Sequence, residues 1–161
     1  MAFFKKLFSK SVPVIGSPVA GMCVPITEVS DPTFGHEILG KGVAIRPTDG
    51  KVYAPCDATV DMAFETGHAI SLLTDYGAEI LVHIGLETVS LKGKHFNVHV
   101  STGDIVTKGT LILEFDIDAV AAAGYDTIIP IVVCNSDAFS VIHTFTGKQV
   151  VPGDTIIQMD K

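Results

Sequence analysis

The sequence predicts an all-β fold: a single-domain antiparallel β-sandwich or barrel-like structure with a few short helical turns. Fifteen glycines and eight prolines punctuate short apolar runs, the pattern of many turns between short strands. Only one stretch, around Asp118–Ala123, reads clearly as a helix. The 161 residues, 47% hydrophobic, suffice for one substantial core, and no linker or composition shift divides them.

The elements follow in order. Residues 1–10 form an amphipathic N-terminal segment, with Phe3, Phe4, Leu7 and Phe8 set against Lys5, Lys6 and Lys10. Such a face suits weak contact with an anionic membrane surface; a frayed tail is the competing reading. The domain proper is 11–161. Val12–Ile15, Ser17–Gly21, Gly42–Ile45, Lys51–Pro55 and Thr59–Met62 read as β structure broken by turn signals such as Thr48-Asp49-Gly50. Ala69–Thr74, Glu79–Ile84, Thr110–Phe115, Thr127–Cys134 and Thr155–Met159 continue it. The helix takes Asp116 or Asp118 as its cap and Gly124 as its stop. Helical turns are also expected near Thr27–Ser30 and Thr88–Leu91. Two echoes stand out: Thr102-Gly103-Asp104-Ile105-Val106 against Pro152-Gly153-Asp154-Thr155-Ile156, and Pro18-Val19-Ala20-Gly21 against Tyr53-Ala54-Pro55. Gly-Asp before a strand is a common turn, so neither echo establishes a repeat.

Composition removes several classes of function. Eighteen acidic against eleven basic residues give a formal charge of −7, which repels phosphate backbones and argues against nucleic-acid binding. Cys23, Cys56 and Cys134 are odd in number, far apart and in no CxxC, as expected of reduced thiols in a cytoplasmic protein. The start is too charged for a signal peptide, and no apolar run reaches membrane-spanning length. Neither GxxxxGK[ST] nor GxGxxG occurs, so nothing supports a nucleotide-binding loop.

The informative stretch is Phe64–Gly85. Two apolar runs joined by Asp75-Tyr76-Gly77-Ala78 make a hairpin. Alternation places His68, Ile70, Leu72 and Thr74 on one face of the first strand, and Glu79, Leu81 and His83 on one face of the second. A two- or four-residue loop brings both imidazoles to the same face, about 5–8 Å apart at Cβ. An odd loop would separate them. A paired neutral imidazole suits phosphoryl transfer: His83 attacks while His68 and the Thr66 hydroxyl steady the phosphoryl group. Leu81, Ile70 and Phe64 would exclude water, and Gly67 and Gly85 would let a partner approach. The bland alternative is a pair of structural histidines. A metal alternative is zinc on His68 and His83, with Glu79 or Glu87 as third ligand. His36, His95, His99 and His143 read as surface or structural.

Leu81-Val82-His83-Ile84-Gly85-Leu86-Glu87-Thr88-Val89-Ser90-Leu91-Lys92-Gly93 resembles the active-site signature of glucose-type IIA domains of the bacterial phosphoenolpyruvate-dependent sugar phosphotransferase system. Ser17–Gly21, Gly40–Ile45, Asp49–Val52 with Ala54-Pro55, Thr66–Ala69, and Lys108–Thr110 before Phe115-Asp116 extend the match along nearly the whole chain. The resemblance implies an antiparallel β-sandwich and a phosphotransferase component. It would accept a phosphoryl group from the carrier HPr on Nε2 of His83 and pass it to a cysteine of a IIB domain during sugar uptake. It further implies that His68 supports the transition state, that Thr66 orients His68, and that the Gly85 carbonyl holds the Nδ1 hydrogen of His83. No cofactor is required beyond the covalent phosphohistidine. Phe34, Ile38, Leu39, Phe64, Leu81 and Val89 fall at the family's apolar docking positions, with Asp31 and Glu87 on an acidic border suited to a basic carrier. His95 departs from the smaller residue usual in relatives. No membrane domain is attached here, so the partners are expected to be other polypeptides, regulatory targets among them. A pure regulatory switch and a zinc hydrolase on a related scaffold are the competing functions.

Overall fold

A computed structural model describes residues 12–161; the amphipathic segment at 1–10 lies outside the described residues. Among the described residues fourteen strands are present: β1 (Val14–Gly16), β2 (Gly21–Pro25), β3 (Lys41–Pro47), β4 (Lys51–Tyr53), β5 (Ala58–Ala63), β6 (Ala69–Leu73) and β7 (Glu79–His83), then β8 (Phe96–Val98), β9 (Ile105–Val106), β10 (Leu111–Phe115), β11 (Ile129–Val133), β12 (Val141–Thr144), β13 (Lys148–Val150) and β14 (Thr155–Asp160). Every pairing is antiparallel. The all-β reading therefore holds. Strands β2, β8, β9, β12 and β13 escaped the pattern because each is short and without clean alternation.

The sheets obey one symmetry. The eight-stranded sheet runs β13-β2-β3-β11-β7-β6-β5-β9, and two three-stranded sheets run β1-β14-β12 and β4-β10-β8. Read outward from the β11–β7 pair, each half repeats the other. The backbone confirms it: Gly16 N–H donates to Pro55 O at 2.8 Å and Tyr53 N–H donates to Pro18 O at 2.8 Å. Ser17 pairs with the Gly153-Asp154 turn at 2.9 and 2.7 Å, and Ala54 pairs with the Gly109-Thr110 turn at 2.9 and 2.7 Å. The echo of Pro18 with Pro55 is thus a real structural repeat. Gly153-Asp154 has Gly109-Thr110 as its counterpart, whereas its look-alike Gly103-Asp104 shares the turn but not the position.

A large apolar cluster lies between the layers, with Ile15, Ile45, Ile70, Ile80, Ile131 and Ile156 all fully buried in it. All five residues of β11 are buried, which explains its unbroken apolar run at the centre of the sheet. A second, smaller cluster gathers Val24, Ile26, Val29, Phe34, Ala44, Leu86, Ile128 and Val132, with Leu81 packed against it. This cluster underlies the functional site.

The short helices form where the caps permit. Asp116 Oδ1 accepts from Ala119 N–H at 3.0 Å at the start of helix Ile117–Ala122. Asp31 Oδ1 accepts from Thr33 N–H at 2.9 Å and opens the one-turn helix Pro32–Gly35. Single 3-10 turns occupy Ile26–Glu28, Thr88–Leu91 and Ser136–Ala138. Among the described residues no helix is long and apolar enough to cross a membrane.

Candidate functional site

His83 ends β7, half-buried, at the point where the chain leaves the sheet. Its Nδ1 lies 2.7 Å from the carbonyl oxygen of Gly85. A carbonyl only accepts, so Nδ1 carries the hydrogen and the neutral ring keeps its lone pair on Nε2. The bond requires the chain to double back within two residues, and Gly85 supplies the left-handed conformation at φ +75°. A Cβ there would lie 2.7 Å from Thr88 Cγ2 and 2.8 Å from the Asp126 carbonyl oxygen.

His68 is buried at 8% exposure, and its ring centroid lies 5.2 Å from that of His83 with the planes 77° apart. Thr66 Oγ1 is 2.5 Å from His68 Nδ1. When the hydroxyl donates, the hydrogen of His68 sits on Nε2, available to an incoming oxygen. Aromatic side chains flank the pair: Phe34 is 5.0 Å from His83 and Phe64 is 5.2 Å from His68, centroid to centroid.

The route by which the rings meet differs from the expected one. The β6–β7 connection is odd: Leu73 pairs with Glu79 and Ala69 with His83. The Thr74 side chain closes it, accepting from Ala78 N–H at 2.8 Å. Ile70 and Leu72 consequently face the core, opposite to His83, and Ile70 does not flank the site. His68 precedes β6, beyond the reach of strand alternation, in a turn where Gly67 has φ +69° and donates to Phe64 O at 2.8 Å. The turn, rather than the register, delivers His68 to its partner.

Burial sets the charge state of both rings. Desolvation lowers the pKa of His83 below the ordinary histidine value, with the Gly85 hydrogen bond and the Asp31 carboxylate opposing it. His68 is lowered by desolvation and then by the neighbouring His83. Both are neutral at pH 7, the state in which each ring keeps a lone pair on one nitrogen.

The expected docking residues divide. Phe34 is buried against His83, and Leu81 shares the His83 face of β7. Ile38, Leu39, Phe64 and Val89 remain exposed, at 69%, 36%, 39% and 49%. Asp31 and Glu87 line one open groove together with Tyr125 and Asp126. A separate hollow of about 510 Å³, lined by residues that include Asp57, Thr59, Asp75 and Ile105, contains neither histidine.

The other histidines stand apart from the pair. His99 Nε2 meets Glu114 Oε2 at 2.9 Å, His143 packs on Phe145 at 4.7 Å, and His36 caps the Pro32–Gly35 helix. His95 and His99 flank the short strand β8. Among the described residues no group of three or more His, Cys, Asp or Glu side chains is arranged to hold a metal ion; neither Glu79 nor Glu87 completes a set with the two histidines. Thr88 was not singled out from sequence, although it lies within the signature. It is fully buried, and its hydroxyl donates to the Ile84 carbonyl.

A β-sandwich with this paired site defines a IIA domain of the glucose-permease class. Glucose permease IIA from Mycoplasma capricolum matches it with a TM-score of 0.82 and 31% identity, over 94% of this chain and 97% of that one. The chain belongs to the EIIA 1 family of the phosphoenolpyruvate-dependent sugar phosphotransferase system, whose model matches residues 13–139. The glucose-specific EIIA component of Oceanobacillus iheyensis is 38% identical over 160 residues, covering 96% of each protein. The β-glucoside-specific EIIBCA component of Dickeya chrysanthemi is 45% identical over 143 residues, 89% of this chain. The chain spans about 23% of that relative's length.

Proposed function

We propose that this domain accepts a phosphoryl group from phospho-HPr on Nε2 of His83 and hands it to a cysteine of a IIB domain during sugar uptake. One observation carries the reading. The Gly85 carbonyl takes the Nδ1 hydrogen of His83 at 2.7 Å, so Nε2 is the free nucleophile, and a second imidazole stands beside it. In the accepting step the Nε2 lone pair forms a bond to phosphorus, while the bond from phosphorus to the donor breaks and its electron pair returns to the donor atom. In the onward step a thiolate of the acceptor attacks phosphorus and His83 leaves as the neutral ring. His68, oriented by Thr66, donates from Nε2 to a phosphoryl oxygen and offsets the charge that develops there.

The surroundings suit protein partners. Exposed Phe64, Val89, Ile38 and Leu39 offer apolar contact, while Asp31 and Glu87 offer negative charge to a basic donor. The fusion of this domain to IIB and IIC parts in the β-glucoside-specific EIIBCA relatives supports a IIB domain as the acceptor. The proposal places the chain in the cytoplasm and requires no cofactor for transfer.

The test is phosphotransfer from phosphoenolpyruvate through enzyme I and HPr. Wild type should take an acid-labile phosphate, His83→Ala none, and His68→Ala should accept phosphate but pass it on poorly. An unlabelled wild type, or a His83→Ala variant labelled as fully, overturns the proposal.

A further inference from the structure

We propose that Thr88 is a positioning residue for this reaction, fixing the peptide unit before Gly85 so that its carbonyl holds His83 in the Nδ1–H tautomer. The inference rests on the reading of His83 as the phosphoryl acceptor. Gly85 joins two peptide planes that a glycine leaves free to rotate. Each plane is tied from outside. The Ile84 carbonyl, in the first plane, accepts the Thr88 hydroxyl hydrogen. The Leu86 N–H, in the second plane, donates to Asp126 O at 3.0 Å. That second plane also contains the Gly85 carbonyl, which binds His83 Nδ1. A third tie, Ile84 N–H to His68 O at 2.6 Å, anchors the same stretch to the second histidine itself, just ahead of β6.

Thr88 is well placed for this work. It is 0% exposed, so its hydroxyl has no water to exchange with and its bond to Ile84 is not in competition with solvent. Its Cγ2 occupies the space that a side chain at Gly85 would need, so the methyl and the hydroxyl together pack the turn from one side. Without the hydroxyl, the Ile84 carbonyl is buried and unpaired. The first plane can then tilt toward other donors and displace the Gly85 Cα that both planes share, leaving the Gly85 carbonyl positioned only through the Leu86 N–H bond to Asp126. His83 would lose its fixed acceptor, and hydrogen on Nε2 blocks the attacking lone pair.

The discriminating variants are Thr88→Ser, Thr88→Ala and Thr88→Val. Serine and alanine both delete the methyl and differ by the hydroxyl alone; valine keeps the volume. The readouts are the Nδ1 and Nε2 shifts of His83 in 15N-histidine-labelled protein above pH 7, and the rate of phosphoryl acceptance from HPr. Wild type and Thr88→Ser should show hydrogen on Nδ1. Alanine and valine should show shifts averaged between tautomers and accept phosphate about tenfold more slowly, the usual cost of losing a partner that orients a functional histidine. Equal behaviour of the alanine and serine variants overturns the proposal. So does slow transfer with an unchanged tautomer, which would reduce Thr88 to a staple of the 3-10 turn. Should no hydroxyl-free variant fold, wild type still decides. A Thr88 hydroxyl proton that exchanges slowly supports the buried bond, and rapid exchange refutes it. Hydrogen on Nε2 of His83 in wild type would overturn the acceptor assignment itself, a failure separate from that of Thr88.

Discussion

The rings of His68 and His83 lie 5.2 Å apart, although it is Ala69 that pairs with His83 across the strands. Strict alternation would bury His68 on the core face with Ile70. The turn from Phe64 to Gly67 ends the alternation one residue early and turns the His68 side chain toward its partner. The site therefore depends on a turn as much as on the sheet, and the turn contains Thr66, the residue that touches His68 Nδ1.

Thr66→Val should uncouple transfer from stability. The hydroxyl sits 2.5 Å from His68 Nδ1 in a part-buried position, and its loss should cost about 1 kcal/mol or less in stability, the usual net value of one such bond. Onward transfer should fall about tenfold, because His68 loses the group that selects its tautomer. Thr66→Ser should restore it. Thermal unfolding and single-turnover transfer to a IIB domain measure the two effects; equal transfer by Val and Ser variants would show that Thr66 does not orient His68.

Both histidines should titrate below the free imidazole value, since burial lowers each pKa from 6.5. Phosphoryl acceptance should then stay flat from pH 8 down to the ordinary histidine range and decline only below it. Stability carries the same sign. Between the lowered folded values and 6.5 the unfolded chain binds more protons, so stability rises with pH through that window and falls on acidification. Protons on the imidazole carbons report both titrations directly. A midpoint for His83 at or above 6.5 would contradict the burial argument.

Much of this was legible beforehand, and the gaps have physical causes. The Gly/Pro punctuation announced strands, and Asp116 or Asp118 as cap with Gly124 as stop announced the helix, because caps and turns are local chemistry. The Leu81–Gly93 signature pointed to His83 as the proposed acceptor. Three features were not local. The Thr74–Ala78 closure added an odd residue to the hairpin through a side-chain bond that no periodicity records. Phe34 reaches His83 across the small core cluster from a distant helix. The pairing of Gly153 with Gly109, rather than Gly103, depends on which strand each turn precedes in space. Thr88 was overlooked for a different reason: a threonine in a turn is ordinary until its burial is known.

The thiols should be inert in the folded protein, with one accessible exception. Burial pushes the Cys23 pKa up to about 11, and burial with the Asp57 charge pushes Cys56 up to about 12. At pH 8 the Cys56 thiolate is about one molecule in ten thousand, too little for fast reaction. Cys134 is exposed, though burial of its thiol and the Glu79 charge raise its pKa as well. A colorimetric disulfide reagent should therefore label one thiol slowly, none in Cys134→Ser, and all three after guanidinium unfolding. Rapid labelling of two or more thiols in native protein would show that the Cys23 or Cys56 region opens readily.

Gly85→Ala and Gly153→Ala separate backbone strain from crowding at the site. Both glycines have positive φ, +75° and +96°, so a methyl strains each backbone by about 1–2 kcal/mol. At Gly153 an added Cβ meets nothing within 4 Å, and a stiffer unfolded chain returns part of that strain. The net loss there should be about 1 kcal/mol, with transfer unchanged. At Gly85 the same Cβ strikes the Thr88 methyl at 2.7 Å and the Asp126 carbonyl at 2.8 Å. Overpacking adds about 1–3 kcal/mol, for a total of about 2–5 kcal/mol. The turn must also shift its carbonyl away from His83 Nδ1, so transfer should fall even at temperatures where the variant is fully folded. Urea denaturation combined with phosphoryl acceptance at 10 °C tests both parts. If Gly85→Ala is destabilised yet transfers at the wild-type rate, the Gly85 carbonyl is not what prepares His83 for attack.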